Sequence, residues 1–198
     1  MPSIDVKNYQ KEILDQFKKL FPNTPSQNEW PAFHTNGIKY SPRVDIVVGP
    51  YSTENRCIDE YDNLMDTSRI FIESIIHAHL NNIDGGNNDL DISRLNFNTL
   101  KNHNYNARCF IAVEIENQVS RKHLIGSAIN AAALGRIGII VGWTEEKFKS
   151  LLRLKNYLKF LTQAEKPSFQ TTNLLILKPE QLRDSLLSAN RQKMRNST

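Results

Sequence analysis

The stretch Cys109-Phe-Ile-Ala-Val-Glu-Ile-Glu-Asn117, followed by SRKHLIGSAINAAALG over 120–135 and IGIIVGW over 137–143, decides the fold class. The first and third pieces are apolar runs of strand length, and the small-residue segment between them has the length of a short helix. A strand, a helix and a strand in that order predict two parallel strands in an α/β sheet. Moving toward the amino end, Val44–Val48 is a second β-branched run and predicts another strand. Before it, residues 21–37 are dense in Pro, Asn, Ser and Gly and read as a loop. Ile4, Tyr9, Ile13, Phe17 and Leu20 fall near one stripe, predicting a helix over 4–21 closed by Pro22.

Between the two acid-bearing runs, Ile58, Tyr61, Met65, Ile72, Ile75, Ile76 and Leu80 recur at helical spacing over about 53–82, as one long helix or two joined ones. Residues 81–107, rich in Asn, Asp and Gly, read as an exposed excursion. Beyond 143 the pattern predicts a Lys-rich helix over Glu145–Gln163, a strand in TNLLILK, a last helix opened by Pro179 and a frayed tail from Asn190. The 198 residues, 39% hydrophobic and without a visible linker, fit one α/β domain over 1–198, a central mixed sheet flanked by helices with a helical insertion over 53–107.

No apolar run has membrane-spanning length, and the N-terminus has no basic-then-apolar leader pattern, so a cytoplasmic protein is expected. Cys57 and Cys109 form no CxxC pair, which argues against a disulfide framework or a cysteine zinc site. Residues 1–116 carry 11 Lys/Arg against 16 Asp/Glu, whereas 117–198 carry 14 against 5. The basic C-terminal part suits a polyanionic partner.

Three acids sit where a core strand disfavours them. Glu114 and Glu116, two apart, share one face of their strand, and Asp45 interrupts the second apolar run. Burying carboxylates costs several kcal/mol unless a cation or hydrogen bonds compensate (on the order of that for each ion). One explanation covers all three: Asp45 and Glu114 hold Mg²⁺ together with the backbone carbonyl of Ile115, and Glu116 orients or deprotonates a water.

The segments YSPRVDIVVGPY (40–51) and VEIENQVSRKH (113–123) resemble the PD-(D/E)XK nuclease superfamily, in which an Asp on one strand and an acid-x-Lys on the next form the metal site. Here Pro42 and Asp45 are separated by two residues, and Glu116 stands where the family usually has lysine. An E-x-E motif of this kind is similar to that of some restriction endonucleases, where the second glutamate takes the lysine's role. Lys122, near the start of the next helix, is the substitute cation by resemblance to migrated versions of the motif, and Glu12 resembles the additional helical acid, a further metal ligand. The resemblance implies a restriction-endonuclease-like αβββαβ core. It also implies Mg²⁺-dependent hydrolysis of nucleic acid, with Mn²⁺ as substitute, DNA rather than RNA as substrate, and a restriction or defence setting. Cutting both strands of a duplex implies a homodimer, with the long helix from Thr53 as its interface.

Other expectations follow from position. Arg43, Arg121, Lys122 and His123 are candidate phosphate contacts; the last three open a helix, where cations oppose the dipole unless an anion approaches. Glu12 reads equally as a solvated surface acid, and Asp45 as a partner of Arg43. Gly126, Ser127 and the alanines after them read as small residues for close helix–sheet packing. The lysines of the helix from Glu145 read as a solvated face or as part of a nucleic-acid track. Two other classes stay open: a catalytically inactive nucleic-acid-binding protein of the same fold, and a small-molecule enzyme, which needs an apolar pocket at the acids.

Overall fold

The computed structural model describes residues 5–32, 41–52, 56–83, 95–117, 121–163 and 171–196. Its elements are α1 (Val6–Leu20), β1 (Ser26–Pro31), β2 (Arg43–Val48), α2 (Ile58–Thr67), α3 (Arg69–Ile83), α4 (Phe97–Lys101), β3 (Cys109–Glu116), α5 (Arg121–Leu134), β4 (Gly135–Gly142), α6 (Glu145–Gln163), β5 (Leu174–Leu177) and α7 (Pro179–Asn196). The strands form one mixed sheet in the order β1-β2-β3-β4-β5. β1, β2 and β3 pair antiparallel, and β3, β4 and β5 pair parallel. Every residue of β3 and β4 is buried, so both are covered on two faces and their sequences read as continuous apolar runs.

Helices α1, α3 and α7 cover one face, where Tyr9, Ile13, Phe17, Ile72, Ile75 and Leu182 pack with Ile46, Val113, Ile139 and Val141. Truncating one of these aliphatic side chains to alanine costs about 2–5 kcal/mol. Helices α5 and α6 cover the other face through Ala128, Ala131, Phe148, Leu151 and Leu158, against Ile140, Leu174 and Ile176. The close approach is made by a strand glycine: a Cβ on Gly138 would lie 2.7 Å from the Ala131 backbone. Gly126, expected to serve that purpose, has nothing within 4 Å of its Cβ position.

Three local readings change, and one left open is decided. Residues 26–31, read as loop, form edge strand β1, whose burial alternates up to Trp30. The long helix is two, divided at Ser68, whose Oγ donates to the Leu64 carbonyl. Residues 81–107, read as an exposed excursion, include within their described part the helix α4 with buried Phe97 and Leu100, and α3 before them places Phe71, Ile72, Ile75 and Ile76 in the main core. The tail does not fray at Asn190: α7 continues to Asn196, anchored by Asn190 on Gln16 and by Lys193 on the Leu20 carbonyl.

The outer edge of β5 is closed by side chains. Ile176 donates its N–H to His79 Nδ1 at 3.0 Å, and Asn82 donates to the Ile176 carbonyl at 2.9 Å. Burial, with Lys155 nearby, pushes His79 down to about 3, so its ring is neutral and able to accept.

Candidate active site

The antiparallel registers line up one acid on each of the first three strands. β1–β2 pairs Asn28 with Ile46 and Trp30 with Val44, which sets Glu29 opposite Asp45. β2–β3 pairs Ile46 with Val113, and one step further sets Asp45 opposite Glu114. The β2–β3 ladder ends there. Asp45 Oδ2 accepts the Ile115 N–H at 2.7 Å, a side chain replacing a partner strand's carbonyl. Glu29 has a φ of 51°, left-handed and uncommon without glycine. Gln10 of α1 spans the row, donating to the Asp45 carbonyl at 2.7 Å and to Glu29 Oε1 at 3.4 Å.

On β3, Glu114 is 6% exposed and Glu116 2%. Both are met by α5: Ser127 Oγ donates to Glu116 Oε2 at 3.2 Å, and Asn130 hydrogen-bonds the Glu114 carboxyl. Glu114 Oε1 is buried and has no hydrogen-bond partner. Burial, then the charges of Asp45, Glu116 and Glu29, push Glu114 up to about 9, against the opposing Asn130 bond. Burial first, with Glu29 and Glu116, pushes Asp45 up to about 6, while the Ile115 N–H acts the other way. Among the described side chains, the charged groups acting on this pair are carboxylates. Like charges directly opposed across strands destabilise a sheet, so a proton or a cation is required to relieve them.

The main chain adds one acceptor. Ile115 directs its N–H toward Asp45, while the next carbonyl, that of Glu116, points the other way and accepts the Trp143 N–H at 3.1 Å. Because a strand residue turns both amide groups to one edge, the Ile115 carbonyl lies on the Asp45 side. Among the described residues no three His, Cys, Asp or Glu side chains form a ready-made metal shell. Magnesium usually takes one or two carboxylates and fills its remaining positions with water and phosphate oxygens. Two hard carboxylates, one with an unpartnered buried oxygen, and a nearby carbonyl are donors of that kind.

The other expected residues divide. Glu12 does not join the row: Arg183 of α7 grips its carboxylate through Nε at 2.8 Å and Nη2 at 3.1 Å, so the expected helical ligand is spent on an α1–α7 ion pair. Arg43 is exposed, and its charge is not among those acting on Asp45. His123 is exposed in the first turn of α5, while the side chains of Arg121 and Lys122 lie outside the described residues. His77 is exposed and His79 buried, which separates them as helix geometry requires; His34 is outside the described residues.

Sequence reading missed Glu29, Gln10, Ser127 and Asn130. Two polar residues three apart on an otherwise apolar helix were the available signal for Ser127 and Asn130. A cavity of about 620 Å³ lined by Leu20, Phe21, Pro25, Pro50, Leu64 and Phe71 is not lined by Asp45, Glu114 or Glu116. Comparison of the chain with models of known protein families, with curated proteins and with solved structures finds no match in any of the three.

Proposed function

We propose that the chain is a metal-dependent nuclease that hydrolyses phosphodiester bonds of nucleic acid, DNA in preference to RNA, at a PD-(D/E)XK-like site built on Asp45, Glu114 and Glu116. One observation carries the reading: half-buried Asp45 and buried Glu114 meet where β2 and β3 part, with carboxylates as the charges acting on them among the described side chains and an unpartnered oxygen on Glu114. The element order supports it, since α1, β1, β2, β3, α5 and β4 follow as αβββαβ once α2–α4 are set aside.

Asp45, Glu114 and the Ile115 carbonyl would hold Mg²⁺, or Mn²⁺ in its place. When bound, the ion supplies Lewis-acid polarisation of the phosphate and a lowered pKa for an attacking water. The chain's own groups do the positioning. The Ile115 N–H fixes one Asp45 oxygen, Gln10 pins the Asp45 main chain, and Asn130 steadies the Glu114 carboxyl. Glu116, held by Ser127, accepts the water's proton; Lys122 is the alternative bearer of the family lysine's role. Arg43, Arg121, Lys122 and His123 are the proposed phosphate contacts, and cutting both strands of a duplex calls for a homodimer.

The test is cleavage of linear, circular and single-stranded DNA and of RNA with Mg²⁺ or Mn²⁺. Asp45→Asn and Glu114→Gln are expected to lower the rate by about 10³-fold or more, as loss of a main electrostatic contributor does. Equal loss in Glu116→Gln assigns the proton to Glu116, whereas survival there with loss in Lys122→Ala transfers the role to the lysine. Metal-independent binding without any cleavage would replace this reading with an inactive binding protein.

A further inference from the structure

Helix α6 turns a line of cations and aromatic rings to solvent. Its inner side, Phe148, Leu151, Leu154 and Leu158, is buried against the sheet. On the opposite side lie Lys149, Arg153, Tyr157 and Phe160, all exposed, with Tyr157 at 51% and Phe160 at 61%. Steps of four, four and three residues place them in one stripe about 17 Å long. The outer side of a packed helix is normally polar, and two neighbouring rings there call for a partner. The other large apolar side chains with such exposure, Ile70, Tyr105, Ile125 and Met194, each stand on a different segment. Among the described residues, neither Tyr157 nor Phe160 stacks on another ring.

We infer that this outer face of α6 binds a single-stranded stretch of nucleic acid, with phosphates on Lys149 and Arg153 and bases on Tyr157 and Phe160; the inference rests on the nucleic-acid reading above. Rings take up bases only when the bases are unpaired, because a duplex hides their faces in its own stack. A membrane surface fits less well: an interfacial helix needs a broad apolar face to embed, and that face of α6 is committed to the core. The cations are available. Lys149 touches Glu145 at 3.8 Å with both side chains exposed, and among the described residues Arg153 meets the Ser150 hydroxyl at 3.2 Å. Glu146, the acid on the same face, stands at its amino end.

The direction of the stripe specifies the substrate. Helix α6 starts just after Trp143, whose N–H bonds the Glu116 carbonyl, so its amino end is at the carboxylate end of the sheet and the rings lie further away. A strand lying along α6 therefore leads from the acids outward. The substrate class is nucleic acid with an unpaired segment beside the scissile bond.

The test is fluorescence anisotropy of a labelled oligo-dT and of a hairpin duplex, in EDTA, with Tyr157→Ala/Phe160→Ala, Lys149→Ala/Arg153→Ala and Asp45→Asn beside the wild type. The ring variant should bind oligo-dT about 10-fold or more weakly and the hairpin unchanged. The cation variant should flatten the salt dependence. An unchanged oligo-dT affinity in a ring variant that melts like the wild type overturns the inference. So does wild type that ignores oligo-dT, or ring substitution that alters only self-association or vesicle binding. Oligo-dT bound through α6 with no cleavage in Mg²⁺ or Mn²⁺ keeps this inference and removes the nuclease reading; Asp45-dependent cleavage with unchanged oligo-dT binding in the ring variant does the reverse.

Discussion

Two buried charges in adjacent strands are treated in opposite ways. Arg136, at the start of β4, is fully buried, and although its Nε and Nη1 lack hydrogen-bond partners, its Nη2 donates to Asp62 at 2.7 Å and to the Lys101 carbonyl, and its guanidinium lies 4.6 Å from the Tyr105 ring centroid. Asp45 and Glu114, where β2 and β3 part, are surrounded by further acids and retain an unpartnered oxygen. The protein sets an opposite charge of its own against the first, whereas the charges named around the second are of its own sign. An internally matched charge holds a fold together, and an unmatched one is a place for something to bind.

The sharpest way to break this contrast is to remove each charge in turn. Arg136→Met should cost about 1–3 kcal/mol in urea unfolding, because the Lys101 carbonyl loses its donor and the side chain its contact with Tyr105, while Asp62, 36% exposed, regains water. An unchanged midpoint would show that the pair is not structural. Glu114→Gln should act in the opposite sense without metal. Its folded pKa, about 9, is raised above the unfolded value near 4.5, so the native state binds the proton more tightly. That contribution is complete below 4.5 and disappears as pH rises through 9. Metal-free wild type should therefore lose up to about 1.4 kcal/mol per pH unit across this range, while Glu114→Gln loses less. The comparison is best made above pH 6.5, because His79, pushed down to about 3, weakens the fold only as pH falls below 6.5. Parallel slopes for the two proteins would remove the case for an open site. The smallest effect belongs to Glu12→Gln, which should cost less than about 1 kcal/mol, as a partly exposed ion pair does, and leave cleavage intact. Lost cleavage with unchanged stability would return Glu12 to the site.

Much of this arrangement was legible in the chain. β3, α5 and β4 are plain because a strand buried on both faces must be apolar throughout, and acids within such a strand are conspicuous. β1 was hidden because an edge strand needs little apolar content: Trp30 is its one buried residue, and its pairing with β2 is not encoded locally. Glu29 was hidden with it. Glu12 misled because an amphipathic pattern shows which side of α1 is wet but not what lies across from it, and Arg183 is 171 residues away. The end of α7 has the same cause, since a polar segment that looks frayed is tied down by carbonyl and amide groups of α1.

The His79–Asn82 clasp on β5 has a consequence for assembly. With the Ile176 amide groups already paired, that margin of the sheet offers no template for another strand at Ile176. Growth by strand addition, whether in ordered oligomers or in aggregates, is thereby directed to the β1 margin, where Pro31 cannot donate and limits what can be added. Any self-association would therefore use helix surfaces more readily than sheet extension.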